Sequence, residues 1–507
     1  MQASAGDEID AIDDGSMAEE REFGSSPATT AAAPTIAPSD ASVESGEFGS
    51  DRDAVEEPSA PRRIRPFVST SDDPLSTFAL DVDTGSYSLA RNQLNNGQRP
   101  NLDQVRVEEF VNSFDYSYAD PRGEALGIAV DGAPSPFDSD NWLLRVGVQG
   151  ERVRDDERPP AHLTFVVDTS GSMDLSNRLP LVRSSLELLV DELEADDTVA
   201  IVTYNDRGDV LLAPTSVADR SEILDAIRGL RPGGSTNLEA GLRVGYELAR
   251  EVNEPGDISR VIVASDGLAN AGVTNVEQLS RQIREDADNG IRLMTVGFGL
   301  EGFNDATMEQ LADQSDGVYA YVDTIDEAEK VFEENLTANL YTIAVDAKIQ
   351  LEFEPGVVQE YRLIGFENRG VLDQDFRNDD VDAGEIGAGH QVTALYELRL
   401  VRGIDLGDGS ARLGEVNLRW QDPEDGEIVE IDQTIRVGDL SETWNQTSDE
   451  FKLAGTVGVF AELLRESPHA ANVGWDLVEN EAEFLRDTFD TDDVSELYEL
   501  VLLARNT

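Results

Sequence analysis

At roughly 100 to 200 residues per unit, a chain of 507 residues has room for about three or four folded units. Its 103 Asp and Glu against 39 Lys and Arg give a formal charge of −64, which excludes nucleic acid as a ligand, because phosphate recognition needs a basic footprint. Cysteine is absent, so disulfides, thiolate zinc and a lipid-accepting N-terminal Cys are excluded for the chain as written. No apolar run of about 18 residues offers a membrane-spanning helix.

From residue 1 to 66 the sequence is rich in Ala, Ser, Thr, Pro and acid, as in SSPATTAAAPTIAPSDAS. Such a stretch buries too little apolar surface to offset its ordering entropy, and a disordered acidic tether is expected. Its start, MQASAGDEIDAIDDG, is acidic where a secretory signal is basic and then apolar, so no export address is expected. Residues 67–160 read as an extension of short elements: a strand in STFALDV, helices around Tyr87 to Asn95 and Asn101 to Phe114, and a strand in NWLLRVGVQG.

Between 161 and 341 strands and helices alternate. The strand candidates are HLTFVVD, TVAIVTYN, DVLLAPT, RVIVASD, RLMTVGF and GVYAYVD, short and nearly continuous in apolar residues, as strands buried on both faces are. Between them lie amphipathic helices such as LPLVRSSLELLVDELE, RSEILDAIRGL, TNLEAGLRVGYELAREV, VEQLSRQIREDADNG and DATMEQLADQ. This is the pattern of an α/β fold, a doubly wound parallel sheet whose ligands bind at the carboxyl ends of the strands. Residues 342–440 alternate with period two, as in TIAVDAKIQLEFEP, HQVTALYELRLV, RLGEVNLRW and EIVEIDQTIRV, and predict an antiparallel β domain. Residues 441–507 predict a helical region, with helices in FKLAGTVGVFAELLRES and VSELYELVLLARN.

The chemistry gathers at the strand ends. VVDTSGSM places Asp168, Ser170 and Ser172 in one tight strand-to-helix turn, with the carboxylate and both hydroxyls facing one point. Thr236, in PGGSTN before a helix, and Asp266, at the end of RVIVASDG, add two oxygens from neighbouring loops. A hard divalent cation, Mg²⁺ first and Mn²⁺ or Ca²⁺ after it, takes such an all-oxygen set. Only Asp168 and Asp266 bring charge, so the ion stays lightly neutralised and should attract an acidic side chain from a partner protein.

D-T-S-G-S, the later G-G-S-T-N and the S-D-G after the fourth strand resemble, in order and spacing, the metal-ion-dependent adhesion site of von Willebrand factor A (VWA) domains. TFALDVDTGSYSLARNQLNNGQRPNLDQVRVEEFVNSFDY and the C-terminal extension are similar to bacterial YfbK-type VWA proteins. The resemblance implies a non-enzymatic, metal-dependent interaction protein. As alternatives it implies an adaptor for an AAA+ ATPase or, more weakly, a metal-dependent hydrolase, for which no general base is visible. It also implies an envelope location, although the lipid-accepting Cys is missing.

Other motifs carry blander readings. Asp83, Thr84, Gly85 and Ser86 spell an aspartic-protease turn, but that chemistry needs two carboxylates sharing a proton, and the nearest second turn, at Asp168, belongs to the metal set. A packing turn is expected. Gly297, Gly299 and Gly302 form G-x-G-x-x-G after the fifth strand, where a tight turn explains them better than a dinucleotide, which binds at the first βαβ unit. His162, His390 and His469 are far apart and read as packing or surface residues. Arg178, Arg207 and Arg231 fall in loops expected to rim the metal end, either steering an acidic partner or serving as the default base of a chain whose only lysines are Lys330, Lys348 and Lys452. The acidic excess extends beyond the N-terminal tail, which suits either a high-salt habitat, where screening shortens carboxylate repulsion, or a generally acidic proteome. As a hypothesis, adaptation to salt predicts a higher urea midpoint in molar KCl than in dilute buffer; greatest stability in dilute buffer would count against it.

Overall fold

The computed structural model describes residues 64–507 apart from 81–82, 155–156, 176, 268–275, 288, 300–307, 309–310, 313–316, 380 and 405–408. The tether expected at 1–66 therefore lies almost wholly outside the described residues. Before the α/β region the chain forms β1 (Val68–Ser69), β2 (Leu75–Ala79), α1 (Gly85–Asn95), α2 (Val107–Val111), β3 (Leu126–Pro134) and β4 (Trp142–Gly150). The helix expected from Asn101 to Phe114 is shortened to α2 behind a 3-10 turn. Its backbone is engaged elsewhere: the Gln104 carbonyl accepts the Ser86 hydroxyl, and the Arg106 N–H donates to that same hydroxyl at 2.9 Å.

The D-T-G-S turn is thus structural. Asp83 pairs with Arg369 at 3.0 Å. A Cβ on Gly85 would lie 2.4 Å from the ring of Tyr319, so only glycine lets α1 sit this close to the sheet beyond it.

That sheet contains β5 (Ala161–Asp168), β6 (Thr198–Tyr204), β7 (Gly208–Ser216), β8 (Ile258–Ser265), β9 (Ile291–Phe298) and β10 (Val318–Val322), in the order β10-β9-β8-β5-β6-β7. The apolar runs of β5 and β8 are buried almost throughout, because helices cover both faces. On one side lie α3 (Leu179–Glu192) and α4 (Arg220–Gly229), and on the other α5 (Leu238–Val252) with Ile283 of α6 (Val276–Ala287). In α3, Leu179, Val182, Leu186, Leu189 and Val190 form the buried stripe that a 3.6-residue period dictates. The sheet is parallel except for β7, which runs antiparallel to β6. Residues 205–207 are too few for the crossover that a parallel neighbour needs. The helix expected in DATMEQLADQ lies mostly outside the described residues.

Beyond it come β11 (Thr342–Phe353), β12 (Val358–Ile364), β13 (Gly384–Gly387), β14 (Gln391–Leu400), β15 (Arg412–Gln421) and β16 (Ile428–Arg436). The expected boundaries at 160 and 342 do not separate these strands from the earlier ones. One sheet has the order β1-β12-β14-β4-β3, and in the other β2 pairs with β11 beside β13, β15 and β16. The two sheets share a core in which Leu144, Val146 and Val148 meet Ile349, Leu351, Leu418 and Trp420. The back of the first sheet is closed by α1, α2 and three C-terminal helices, α7 (Asp449–Leu464), α8 (Trp475–Phe489) and α9 (Asp492–Asn506), through Tyr87, Phe110, Leu143, Leu395, Phe460 and Leu497. Among the described residues no helix is long and apolar enough to cross a membrane.

This interleaving makes a prediction. A fragment beginning at Ala161 loses β4, the strand that flanks β14, and its C-terminal half is expected to lose cooperative unfolding while the α/β part keeps it. Limited proteolysis with circular dichroism checks this; a protease-resistant core containing residues 342–507 would refute it.

Candidate metal centre

β5 delivers Asp168 to the carboxyl end of the sheet, fully buried, and the turn after it is fixed by backbone bonds. The Ser170 N–H donates to Asp168 Oδ1 at 2.8 Å, and the Thr169 N–H donates to the carbonyl of Tyr204, the last residue of β6, at 2.9 Å. The Thr236 loop is stitched to this turn from both sides: the Gly233 N–H donates to the Thr169 carbonyl at 2.7 Å, and the Gly171 N–H donates to the Gly234 carbonyl at 3.1 Å. Gly233 and Gly234 both have positive φ, which lets the loop fold back against the turn before α5 begins. Thr236 is buried there, and the Asn237 side chain caps α5.

The structure thus brings the Asp168 turn, the Thr236 loop and the end of β8 to one place. The Ser170 and Ser172 hydroxyls lie 2.9 Å apart. Asp168 Oδ2 accepts the Ser265 hydroxyl at 3.1 Å, with the Tyr204 hydroxyl at 3.4 Å. Burial pushes the Asp168 carboxyl up to about 6, and the charge of Asp266 adds to the shift, while the Ser170 and Ser265 bonds oppose it. Among the described residues no group of three or more His, Cys, Asp and Glu is placed to hold a metal. The donor set here has a different composition, two carboxylates with hydroxyls, which is the chemistry of hard divalent cations.

Similarity to known proteins follows the same layout. The von Willebrand factor type A domain family matches residues 162–334, the von Willebrand factor family 59–145, and the family described as uncharacterized protein YfbK, C-terminal, 338–507. Over 442 residues the chain is 36% identical to the YfbK protein of Escherichia coli K12, covering 82% of this chain and 76% of that one. The chain belongs to the YfbK family of VWA proteins. The Synechocystis protein sll0103 is 24% identical over 63% of this chain and 75% of its own length. Of solved structures, a von Willebrand factor type A protein from Catenulispora acidiphila covers 74% of this chain and 91% of its own, at 14% identity and a TM-score of 0.43.

In this VWA protein one of the three arginines expected at the rim departs from that expectation. Arg178 is buried, and its Nη1 donates to Asp266 Oδ2 at 2.7 Å and to the Ser172 carbonyl at 2.9 Å, so it belongs to the interior of the site. Arg207 is exposed and pairs with Asp209 at 2.7 Å. Arg231 is exposed and bonds the carbonyls of Arg228 and Leu230. Of the glycine motif, Gly299 has φ +95° beside Arg178, and 300–302 lie outside the described residues. The histidines lie elsewhere: His162 bonds Thr198 and Asp257 at the amino end of β5, His390 precedes β14, and His469 packs on Phe67.

Ser265 and Tyr204 were not singled out from the sequence, although S-D-G placed Ser265 directly before a proposed ligand. Replacing Ser265 with alanine removes one donor to Asp168 and an acceptor for the Gly267 N–H at 3.2 Å. We expect Ser265→Ala to lower unfolding stability by about 1 to 3 kcal/mol. Exposed Ser235, bonded to Asp206, should cost less than about 0.5 kcal/mol on the same change. Urea titration of both variants checks the pair; equal losses would remove the assignment.

Proposed function

We propose that the chain is a non-enzymatic protein-interaction module in which Asp168, Ser170, Ser172, Thr236 and Asp266 hold a divalent cation, Mg²⁺ first, that accepts a carboxylate from a partner. One electrostatic observation supports this reading most. Every other buried carboxylate among the described residues has an arginine: Asp83 with Arg369, Glu109 with Arg106, Asp197 with Arg158, Asp266 with Arg178, Asp286 with Arg250, Asp323 and Glu327 with Arg91, and Glu462 with Arg362 and Arg465. Asp168 is buried and has hydrogen bonds but no basic partner. A buried carboxylate without a countercharge is costly, and a cation relieves the cost.

The chemistry then follows from charge. The bound ion would supply Lewis acidity at the carboxyl end of the sheet, and the chain's residues orient it with two carboxylates and three neutral hydroxyls. The two carboxylates match the ion's two charges, and an incoming carboxylate would complete the oxygen shell that the five protein ligands leave open. No general base stands in the donor set, which is why we propose binding and not hydrolysis.

Asp168→Ala is expected to abolish Mg²⁺ binding in calorimetry while the chain stays folded in chelator by circular dichroism. Thr236→Val, close in shape, should weaken Mg²⁺ by about tenfold, the loss of one oxygen ligand. Wild-type affinity in either variant would exclude the assignment of that residue, and Mg²⁺ binding that survives in both would exclude the site.

A further inference from the structure

We infer that Arg178 is a resident cation of this centre, holding Asp266 in place of the metal and setting how tightly the site takes a divalent ion. The inference rests on the metal-site reading above. Arg178 Nη1 reaches Asp266 Oδ2 at 2.7 Å and the Ser172 carbonyl at 2.9 Å. One guanidinium thereby ties the turn after β5 to the end of β8, the two segments that carry four of the five proposed ligands.

The site is built around this side chain. Gly299, at the end of β9, has φ +95°, and a Cβ there would lie 2.8 Å from both Cγ and Nε of Arg178. The Gly299 carbonyl accepts the buried Tyr321 hydroxyl, which holds the backbone in that position. A third strand end, contributing no ligand, has thus given up its side chain to the arginine. A surface arginine drawn to the nearest acid would require none of this.

The consequence is electrostatic. An arginine guanidinium stays protonated, so it remains a fixed positive charge when an ion arrives. Metal, arginine and two carboxylates together leave one net positive charge, whereas the same site without the arginine is neutral. Arg178 therefore weakens the ion's hold on the empty-handed site, and it leaves the loaded site with the single positive charge that one partner carboxylate cancels. Metal and acid then bind cooperatively, each favouring the other.

The test uses the full chain as wild type, Arg178→Gln, Arg178→Lys and Asp168→Ala, with Mg²⁺ itself as the probe. By calorimetry Arg178→Gln should bind Mg²⁺ at least about tenfold more tightly than wild type, and Arg178→Lys, which keeps the charge, within about twofold of it. By melting, Arg178→Gln should fall below wild type in chelator, with the gap narrowing in saturating Mg²⁺, because the ion takes over the arginine's task. If Arg178→Gln is unfolded in chelator, folding on addition of Mg²⁺ supports the inference and failure to fold overturns it. Equal or weaker Mg²⁺ affinity in Arg178→Gln, or equal tightening in Arg178→Lys, overturns the role of Arg178 while leaving the metal site standing, provided wild type binds and Asp168→Ala does not. No Mg²⁺ binding by wild type overturns both.

Discussion

Burying carboxylates with few basic residues is the constraint on which this structure depends. An unpaired buried charge costs several kcal/mol, and breaking a buried pair costs about 3 to 5 kcal/mol. Arginine is therefore found where segments distant in sequence meet. Arg158 and Asp197 pair bidentately, joining the approach to β5 with the start of β6, and Asp197 also accepts the Ala161 N–H at 2.7 Å. Arg91 of α1 reaches Asp323 and Glu327 just beyond β10. Arg362 of β12 and Arg465 after α7 converge on Glu462. These long-range joints are charge joints, and each is closed by its own acid–arginine pair.

Against that pattern Asp168 and Asp266 form an asymmetric pair. Asp266 has its arginine, whereas Asp168 has hydroxyls and one N–H, which orient a carboxylate but do not neutralise it. With a carboxyl pushed up to about 6, chiefly by burial, Asp168 carries an electrostatic penalty that the rest of the fold avoids. Perturbed groups of this kind concentrate at functional sites, and the penalty is the physical content of the metal reading.

How much of this was legible depends on whether the signal is local. The strands β5, β8 and β9 announce themselves by continuous apolar runs, and Asp168, Ser170 and Ser172 by their spacing in one turn. The reversal of β7 was legible in principle, since only residues 205–207 separate it from β6, but strand character alone does not reveal direction. α8 was missed because its buried stripe of Val478, Ala482 and Leu485 is diluted by acidic residues. The pairing of β2 with β11 joins Phe78 to Ile349, a partnership that no window of sequence contains. The burial of Arg178 was equally hidden, because it depends on Gly299 supplying space from a strand end 121 residues away. A charged residue next to a helix start reads as surface until the fold shows what stands opposite it.

The same topology explains why the site is where it is. The α/β unit is inserted between two sets of strands that belong to one sandwich, β1 to β4 before it and β11 to β16 after it. Both of its chain ends are consequently held at one side: β4 leads into β5 within ten residues, and Arg260, at the start of β8, donates to the Leu340 carbonyl and the Thr342 hydroxyl where the chain leaves. The amino ends of β5 and β8 thus face the sandwich. Their carboxyl ends lie a strand length farther out, roughly 25 Å for eight residues. Insertion fixes the polarity of the unit, and in a parallel sheet polarity fixes which end gathers loops and helix starts. The carboxylates and hydroxyls are therefore gathered at the end remote from the sandwich, away from the joints that hold the rest together.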